Sequence, residues 1–471
     1  MSRLRLKIFG SEDLDMGYIS WIPAPLTIVN EIGLPNINVH VGSKSAPGSE
    51  TELVFLESPG DTPRDKITIS FGDEREKTIY VAGKFQVGKR HNGASIEGKD
   101  VMIETRMDNA NGDVLATLDL MVRVRRNAND MSAKARKDFL DALLQLNVNG
   151  SGIFTTDFVA MHIAGATDME HRDSHFLPWH RFYTLDLERM LQNVNPVVNL
   201  PYWRFDQPAP NVFNENFMGK MQQIPRDYSK PGGGRDIGGG STPPAVFAAD
   251  NPLFNWRINT VNGIPRTARF NPATEAANGW TDGTPEGNFQ LLNQSDTLAL
   301  GGGISNPDDA EFGPNRTKFS AMEGTPHGAA HVSFNGYINF VPVAPKDPLF
   351  FLLHCNVDRL WATWQLAFKR DDMTQVKSYP YQNPGDSNYW KIINAKQWPW
   401  SGGQSKPDNL NPPGTRKENF TTSKMVDNFV NNVPKIENAI DPYGYHNSIH
   451  VLGLCYDDVP FNFTYSQQLP T

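Results

Sequence analysis

Through residues 1–121, apolar and polar positions alternate in short runs. Arg3–Ile8, Asn36–Val41, Glu52–Leu56, Lys66–Phe71, Lys77–Phe85 and Val101–Arg106 are rich in Ile, Val, Phe and Thr, and clusters of Gly, Pro, Asn and Asp separate them. A period of two predicts strands. Asn109–Asp113, with Gly112, reads as a hairpin turn leading into a further strand over Val114–Val124. Regular short strands with frequent turns predict an all-β sandwich or barrel. Its role is open between lid, delivery aid, oligomerisation surface and simple packing domain.

Beyond residue 121 the period becomes helical. Asp130 or Ser132 is placed to cap a helix whose Phe139, Leu143 and Leu146 face inward. Thr155-Thr156-Asp157 supply capping residues for a helix that sets His162 on the face of Phe158 and Val159. Pro178 suits the first turn of the next helix, where its missing N–H is not needed. From there His180, Tyr183, Leu187 and Val194 recur at 3, 4 and 7 residues, so His180 points inward. His327 and His331 are four apart and share a direction on a helix. Asp347-Pro348 start another helix, whose Phe350, Leu353, His354, Val357, Trp361 and Trp364 form an apolar stripe.

Seven of the eleven histidines thus fall in two windows, 162–180 and 327–354. One inward histidine is ordinarily a core residue; two converging clusters point to metal. Residues 122–445 read as a mainly α-helical core built on a four-helix bundle with a site made from facing side chains, and 446–471 as a short C-terminal tail. Residues 205–320 and 380–415 are loop-rich. Gly232-Gly233-Gly234 and Gly238-Gly239-Gly240 lack the lysine and the strand–loop–helix setting of a phosphate loop.

His171…Phe176-Leu177-Pro178-Trp179-His180-Arg181 and Asp347-Pro348-Leu349-Phe350-Phe351…His354-Cys355-Asn356-Val357-Asp358-Arg359-Leu360-Trp361 resemble the two copper-binding motifs of the tyrosinase, catechol oxidase and haemocyanin family. Pro201-Tyr202-Trp203 is similar to the family's segment after the first motif, and Tyr443-Gly444-Tyr445 to its closing tyrosine motif. The resemblance spans roughly residues 122–445. It implies two copper ions, one on His162, His171 and His180 and the other on His327, His331 and His354. It also implies dioxygen as co-substrate, oxidation of o-diphenols to o-quinones, and slower hydroxylation of monophenols. Neutral imidazole suits copper, and three nitrogens leave each ion an open position.

Further positions match by resemblance. Val341, thirteen before His354, occupies the family's gate position and is smaller than the phenylalanine of some plant members. Phe350 is expected to stack near the ligands. Glu323, four before His327, matches the water-holding glutamate, while Gly328 stands where bacterial tyrosinases most active on monophenols often carry Asn. Val332, after His331, lacks a charge to orient carboxylate-bearing substrates. Asp358 is the candidate partner for a ligand's second ring nitrogen. No cysteine lies near His171, so the thioether link of plant and fungal members cannot form, and His175 is read as non-coordinating.

Composition narrows the remaining choices. A net charge of −8 argues against nucleic acid or an anionic membrane as partner, and the resemblance implies small phenolic substrates. No apolar run approaches a membrane span, and the first ten residues lack a signal-peptide core, which predicts a cytoplasmic protein unless an export signal has been trimmed. Cys355 and Cys455 are not expected to form a disulfide. In the tail, His446 and His450 have the spacing of a copper-loading site but read better as ordinary strand residues. Its aromatic residues suit a plug or a homo-oligomer interface. Two other classes stay open: a zinc hydrolase, which would leave one cluster idle, and an oxygen carrier, which would need phenols kept from the coppers.

Overall fold

The computed structural model describes residues 4–8, 18–31, 33, 35–85, 94–165, 175–207, 209–222, 242–269, 294–303, 305–314, 316–380, 397, 399–400, 434–444, 446 and 452–461. His171, His450, Tyr445 and both glycine triplets lie outside them. Contacts divide the chain into two compact units, one of Met1–Arg125 with Gly453–Phe463 and one of Arg126–Leu452.

The first unit holds β1 (Leu4–Ile8), β2 (Tyr18–Ile19), β3 (Ala24–Asn30), β4 (Ile37–Ser45), β5 (Leu53–Leu56), β6 (Ile67–Phe71), β7 (Glu76–Gly83), β8 (Val101–Met107) and β9 (Val114–Val122). They form two sheets, ordered β1-β3-β7-β5 and β2-β9-β8-β4-β6. Alternation does what period two demands: Leu4, Leu6 and Ile8 are buried while Arg5 and Lys7 are half-buried. β1 meets β9 and β4 meets β5 between the sheets, so the inward residues share a core. The β8–β9 turn closes with Gly112 N–H donating to Asn109 O at 3.0 Å. A Cβ at Gly112 would come within 1.8 Å of Met107 O, which excludes any other residue there.

β2 and β3 lie outside the alternating runs read from the sequence. β3 is central, paired antiparallel with both β1 and β7, although Pro23 and Pro25 interrupt its start. Pro25 is tolerated because it lies beyond Leu26, the last residue paired with β1. Burying Leu26 and Ile28 completely stabilises the unit by about 1.5–3 kcal/mol each. Part of the stretch read as a separate tail, Gly453–Phe463, also joins this unit. Arg125 N–H donates to Cys455 O at 2.9 Å, Asp457 N–H donates to Arg125 O at 3.0 Å, and Arg125 Nη1 donates to the Tyr456 hydroxyl at 2.8 Å.

The second unit is mainly helical: α1 (Ala133–Asn147), α2 (Ala160–Gly165), α3 (Phe176–Val194), α4 (Gln294–Ala299), α5 (Ala329–Val332), α6 (Leu349–Phe368) and α7 (Ile436–Ile440). Ser132 caps α1, its hydroxyl accepting from Ala135 N–H at 3.1 Å. Asp347 Oδ1 accepts from Leu349 N–H at 3.0 Å where α6 begins. α3 packs against both α1 and α6. Thr155, Thr156 and Asp157 do not cap: they sit inside a π-helical turn, Phe154–Val159, ahead of α2. Thr155 Oγ1 donates instead to Asn147 Oδ1 at 3.0 Å, which ties that turn to the end of α1.

All 20 residues of α6 are buried, so its polar side chains need partners inside the protein. Arg181 of α3 supplies one: its Nε donates to Asp358 Oδ1 at 2.5 Å, and its Nη1 donates to Gln365 Oε1 at 2.8 Å and Ala439 O at 2.5 Å. Its guanidinium also lies 3.8 Å from the Trp361 ring centroid. One arginine thereby joins α3, α6 and the residues of α7. Cys355 and Cys455 are free thiols, both buried. Among the described residues no helix is long and apolar enough to cross a membrane.

Candidate metal centre

α6 delivers His354 from its second turn into the centre of the unit, fully buried. His327 lies in the π-helical turn Gly324–Gly328 and His331 in α5, which follows at once. His327 Nε2 is 3.3 Å from His354 Nε2, and His331 Nε2 is 3.2 Å from it. Imidazole–metal bonds of about 2 Å hold neighbouring donor nitrogens roughly 3.3 Å apart in a tetrahedral arrangement. The opposite ring nitrogens are already committed: His327 Nδ1 donates to Glu323 O at 2.7 Å and His331 Nδ1 to Ile338 O at 2.6 Å.

Those two bonds leave the Nε2 atoms of His327 and His331 as unprotonated acceptors. A single proton on His354 Nε2 does not satisfy both. A bound cation does, and the three residues therefore fit a metal. Burial keeps His331 and His354 neutral, the form a metal needs. His331 is pushed down to about 4 by desolvation, against a smaller opposing effect from Ile338 O. His354 is held well below its ordinary value by desolvation first, then by His180, His327, His331 and His162 around it.

On the facing side stand His162 of α2 and His180 of α3, both buried. His180 Nδ1 donates to Phe176 O at 2.8 Å, so its Nε2 is likewise the nitrogen left for a metal. Their ring centroids are 5.9 Å apart. His171 lies outside the described residues. Two phenylalanines fill the space between the sets. Phe350 stacks on His354 at 4.1 Å and meets His162 edge-on at 4.9 Å. Phe176 lies 4.7 Å from His180 and 4.5 Å from His327. The role of Phe176 escaped the sequence reading because its spacing fits plain core packing.

His175 is buried at the start of α3, where desolvation pushes its pKa down to about 3. Asp358, the candidate partner for a ligand's ring, is paired with Arg181 instead of His354, while the Nδ1 of His354 has no hydrogen-bond partner among the described residues. Backbone carbonyls do that work for His180, His327 and His331. An acid four residues after a ligand looked right on a helical wheel, but a buried arginine on the neighbouring helix outbids a neutral imidazole for it.

Glu323 is buried, and its Oε1 accepts from Arg316 Nη2 at 2.5 Å. A Cβ built on Gly328 would stand 3.4 Å from Glu323 O, an ordinary contact. Val341 is 39% exposed beside the similarly exposed Phe340, three residues past the carbonyl that fixes His331. Val332 is half-buried. His446, weighed as a loading-site residue, instead has its Nε2 3.5 Å from Asp371 Oδ2.

Residues 155–367 match the family model of the common central domain of tyrosinase. Grixazone synthase of Streptomyces griseus is 30% identical over 312 residues, which cover 57% of this chain and 92% of that protein. The tyrosinase of Streptomyces glaucescens is 31% identical over 258 residues, covering 51% of this chain and 82% of its own. The tyrosinase of Streptomyces antibioticus is 29% identical over 291 residues, covering 59% and 93%.

Proposed function

The chain belongs to the tyrosinase family of dicopper oxidases, and we propose that His162, His171 and His180 hold one of its coppers and His327, His331 and His354 the other. It is a polyphenol-oxidase-type enzyme that uses dioxygen on small phenols. When bound, the two coppers supply the two-electron exchange with dioxygen that turns an o-diphenol into an o-quinone. The observation that carries the ligand assignment is the convergence of the Nε2 atoms of His327, His331 and His354, with the opposite ring nitrogens of His327 and His331 locked on backbone carbonyls. A β-sandwich ahead of a four-helix bundle, made by the segments bearing the histidines, is the architecture that goes with this reading.

The protein's own residues do the rest. Phe176 and Phe350 wall the space between the two sets and exclude water from it. Val341 and Phe340 offer an apolar, exposed rim at which a phenol ring enters. That rim favours the oxidase over the oxygen carrier, which would cover the site. Glu323 holds a water that receives the proton of a monophenol, and Gly328 adds no second anchor. Hydroxylation of monophenols is therefore the slower activity and oxidation of o-diphenols the faster.

Copper analysis combined with oxygen uptake tests the reading. Two coppers per chain, with oxygen consumed and quinone formed on repeated turnover of 4-substituted catechols, is the expected result. A single zinc with no oxygen uptake would replace it with the hydrolase. Reversible oxygen binding without quinone would replace it with the carrier.

A further inference from the structure

Glu323 is held at two points. Its backbone carbonyl accepts from His327 Nδ1 at 2.7 Å, and its carboxylate accepts from Arg316 Nη2 at 2.5 Å. The two partners differ in kind. The Glu323 side chain is 3% exposed, whereas that of Arg316 is 53% exposed. The arginine thus reaches in from the surface to a carboxylate that burial has stripped of water.

The backbone that delivers Arg316 is unusual. Gly313, Arg316 and Lys318 all have left-handed φ, at 77°, 56° and 52°. A Cβ at Gly313 would come within 2.4 Å of Thr317 O, so the first of these positions excludes any other residue. Two non-glycine residues in that region within three positions persist only where the surroundings impose them. A buried carboxylate needs a charged partner to stay ionised, and a guanidinium fixes the carboxylate's direction as a point charge does not.

We propose that Arg316 is a positioning residue for monophenol hydroxylation: its guanidinium holds the Glu323 carboxylate in the orientation that grips the water beside His327. The O–H proton of the phenol passes to that water, and the phenol remains as phenolate. This rests on the reading of Glu323 as the water-holding residue. It also accounts for how the site works with Gly328, since the orientation an asparagine amide would impose on the water is imposed instead on the glutamate.

The test compares copper-loaded wild type, Arg316→Gln, Arg316→Lys, Glu323→Gln and the Arg316→Gln/Glu323→Gln double variant at matched copper content. The readout is the ratio of initial rates on tyramine and dopamine. Arg316→Gln should lower that ratio roughly tenfold, the loss of one hydrogen bond to a charged group. Arg316→Lys should recover part of it, and Arg316→Gln should add nothing in the Glu323→Gln background. If Glu323→Gln lowers the ratio and Arg316→Gln does not, Arg316 has no positioning role and the reading of Glu323 stands. If Glu323→Gln leaves the ratio unchanged, that reading fails and the proposal falls with it. Crystal structures of copper-loaded wild type and Arg316→Gln decide the matter even where hydroxylation is too slow to measure. A carboxylate turned away from its wild-type position upholds the proposal, and one that stays in place overturns it.

Discussion

The rings of His180 and His354 stack face to face, with centroids 4.1 Å apart and planes 14° from parallel. One stands on α3 and the other on α6, and each belongs to a different histidine set. Stacked imidazoles that both carry charge would repel, so the contact itself favours the neutral forms that bind metal. It also sets a residue of each set in direct contact.

His180→Ala or His354→Ala should therefore lower bound copper and abolish catechol oxidation. His175→Ala should do neither, since that position carries no ligand in the motif the chain resembles. Copper content and oxygen uptake of the three variants check this. A full copper lost in His175→Ala but kept in His171→Ala would reassign the first site.

Narrowing the rim should restrict the substrate. Val341→Phe adds a ring at an exposed position, and the KM for 4-tert-butylcatechol should rise roughly tenfold, with a smaller change for catechol itself. Equal effects on both would mean that Val341 does not face the entering ring.

Gly328→Asn should raise the ratio of monophenol to diphenol activity. The new Cβ meets Glu323 O at 3.4 Å, so the backbone accepts it without displacement. An amide that orients the water is worth roughly tenfold in the hydroxylation step. Initial rates on tyramine and dopamine measure it, and an unchanged ratio removes the water-anchoring account of this position.

Asp358 is expected to matter for stability rather than for copper. Asp358→Ala leaves Arg181 buried and uncompensated, at a cost of about 3–5 kcal/mol. Denaturant unfolding should show that loss, while copper stoichiometry of the folded protein stays at the wild-type value. A variant of wild-type stability that binds less copper would restore Asp358 to the ligand shell.

His446 gives the second unit a mild pH dependence. Its pKa is raised above 6.5 by the hydrogen bond to Asp371, so folding favours the protonated ring. The stabilisation is complete below the unfolded value and disappears as pH rises through the raised folded one. The pair is partly solvated and contributes less than about 1 kcal/mol. Asp371→Asn should lower the melting temperature at pH 6 and leave it nearly unchanged at pH 9; an equal drop at both would exclude titration of His446 as the cause.

Local spacing by itself determined the helices that carry His180 and His354, because a helix start and a stripe of apolar residues are written within two or three turns. It determined the alternating strands β1, β4, β6 and β8 for the same reason. Only the tertiary structure made Ala24–Asn30 a central strand, since its identity depends on pairing with β1 and β7 and not on its own interrupted pattern. Only the tertiary structure gave Asp358 to Arg181, 177 residues away, and brought Arg316 of a left-handed loop onto Glu323. A carboxylate's neighbours along the chain say which helix face it occupies. Which cation it meets there is decided by what the rest of the fold buries beside it, because a desolvated charge takes the strongest partner within reach, however distant in sequence.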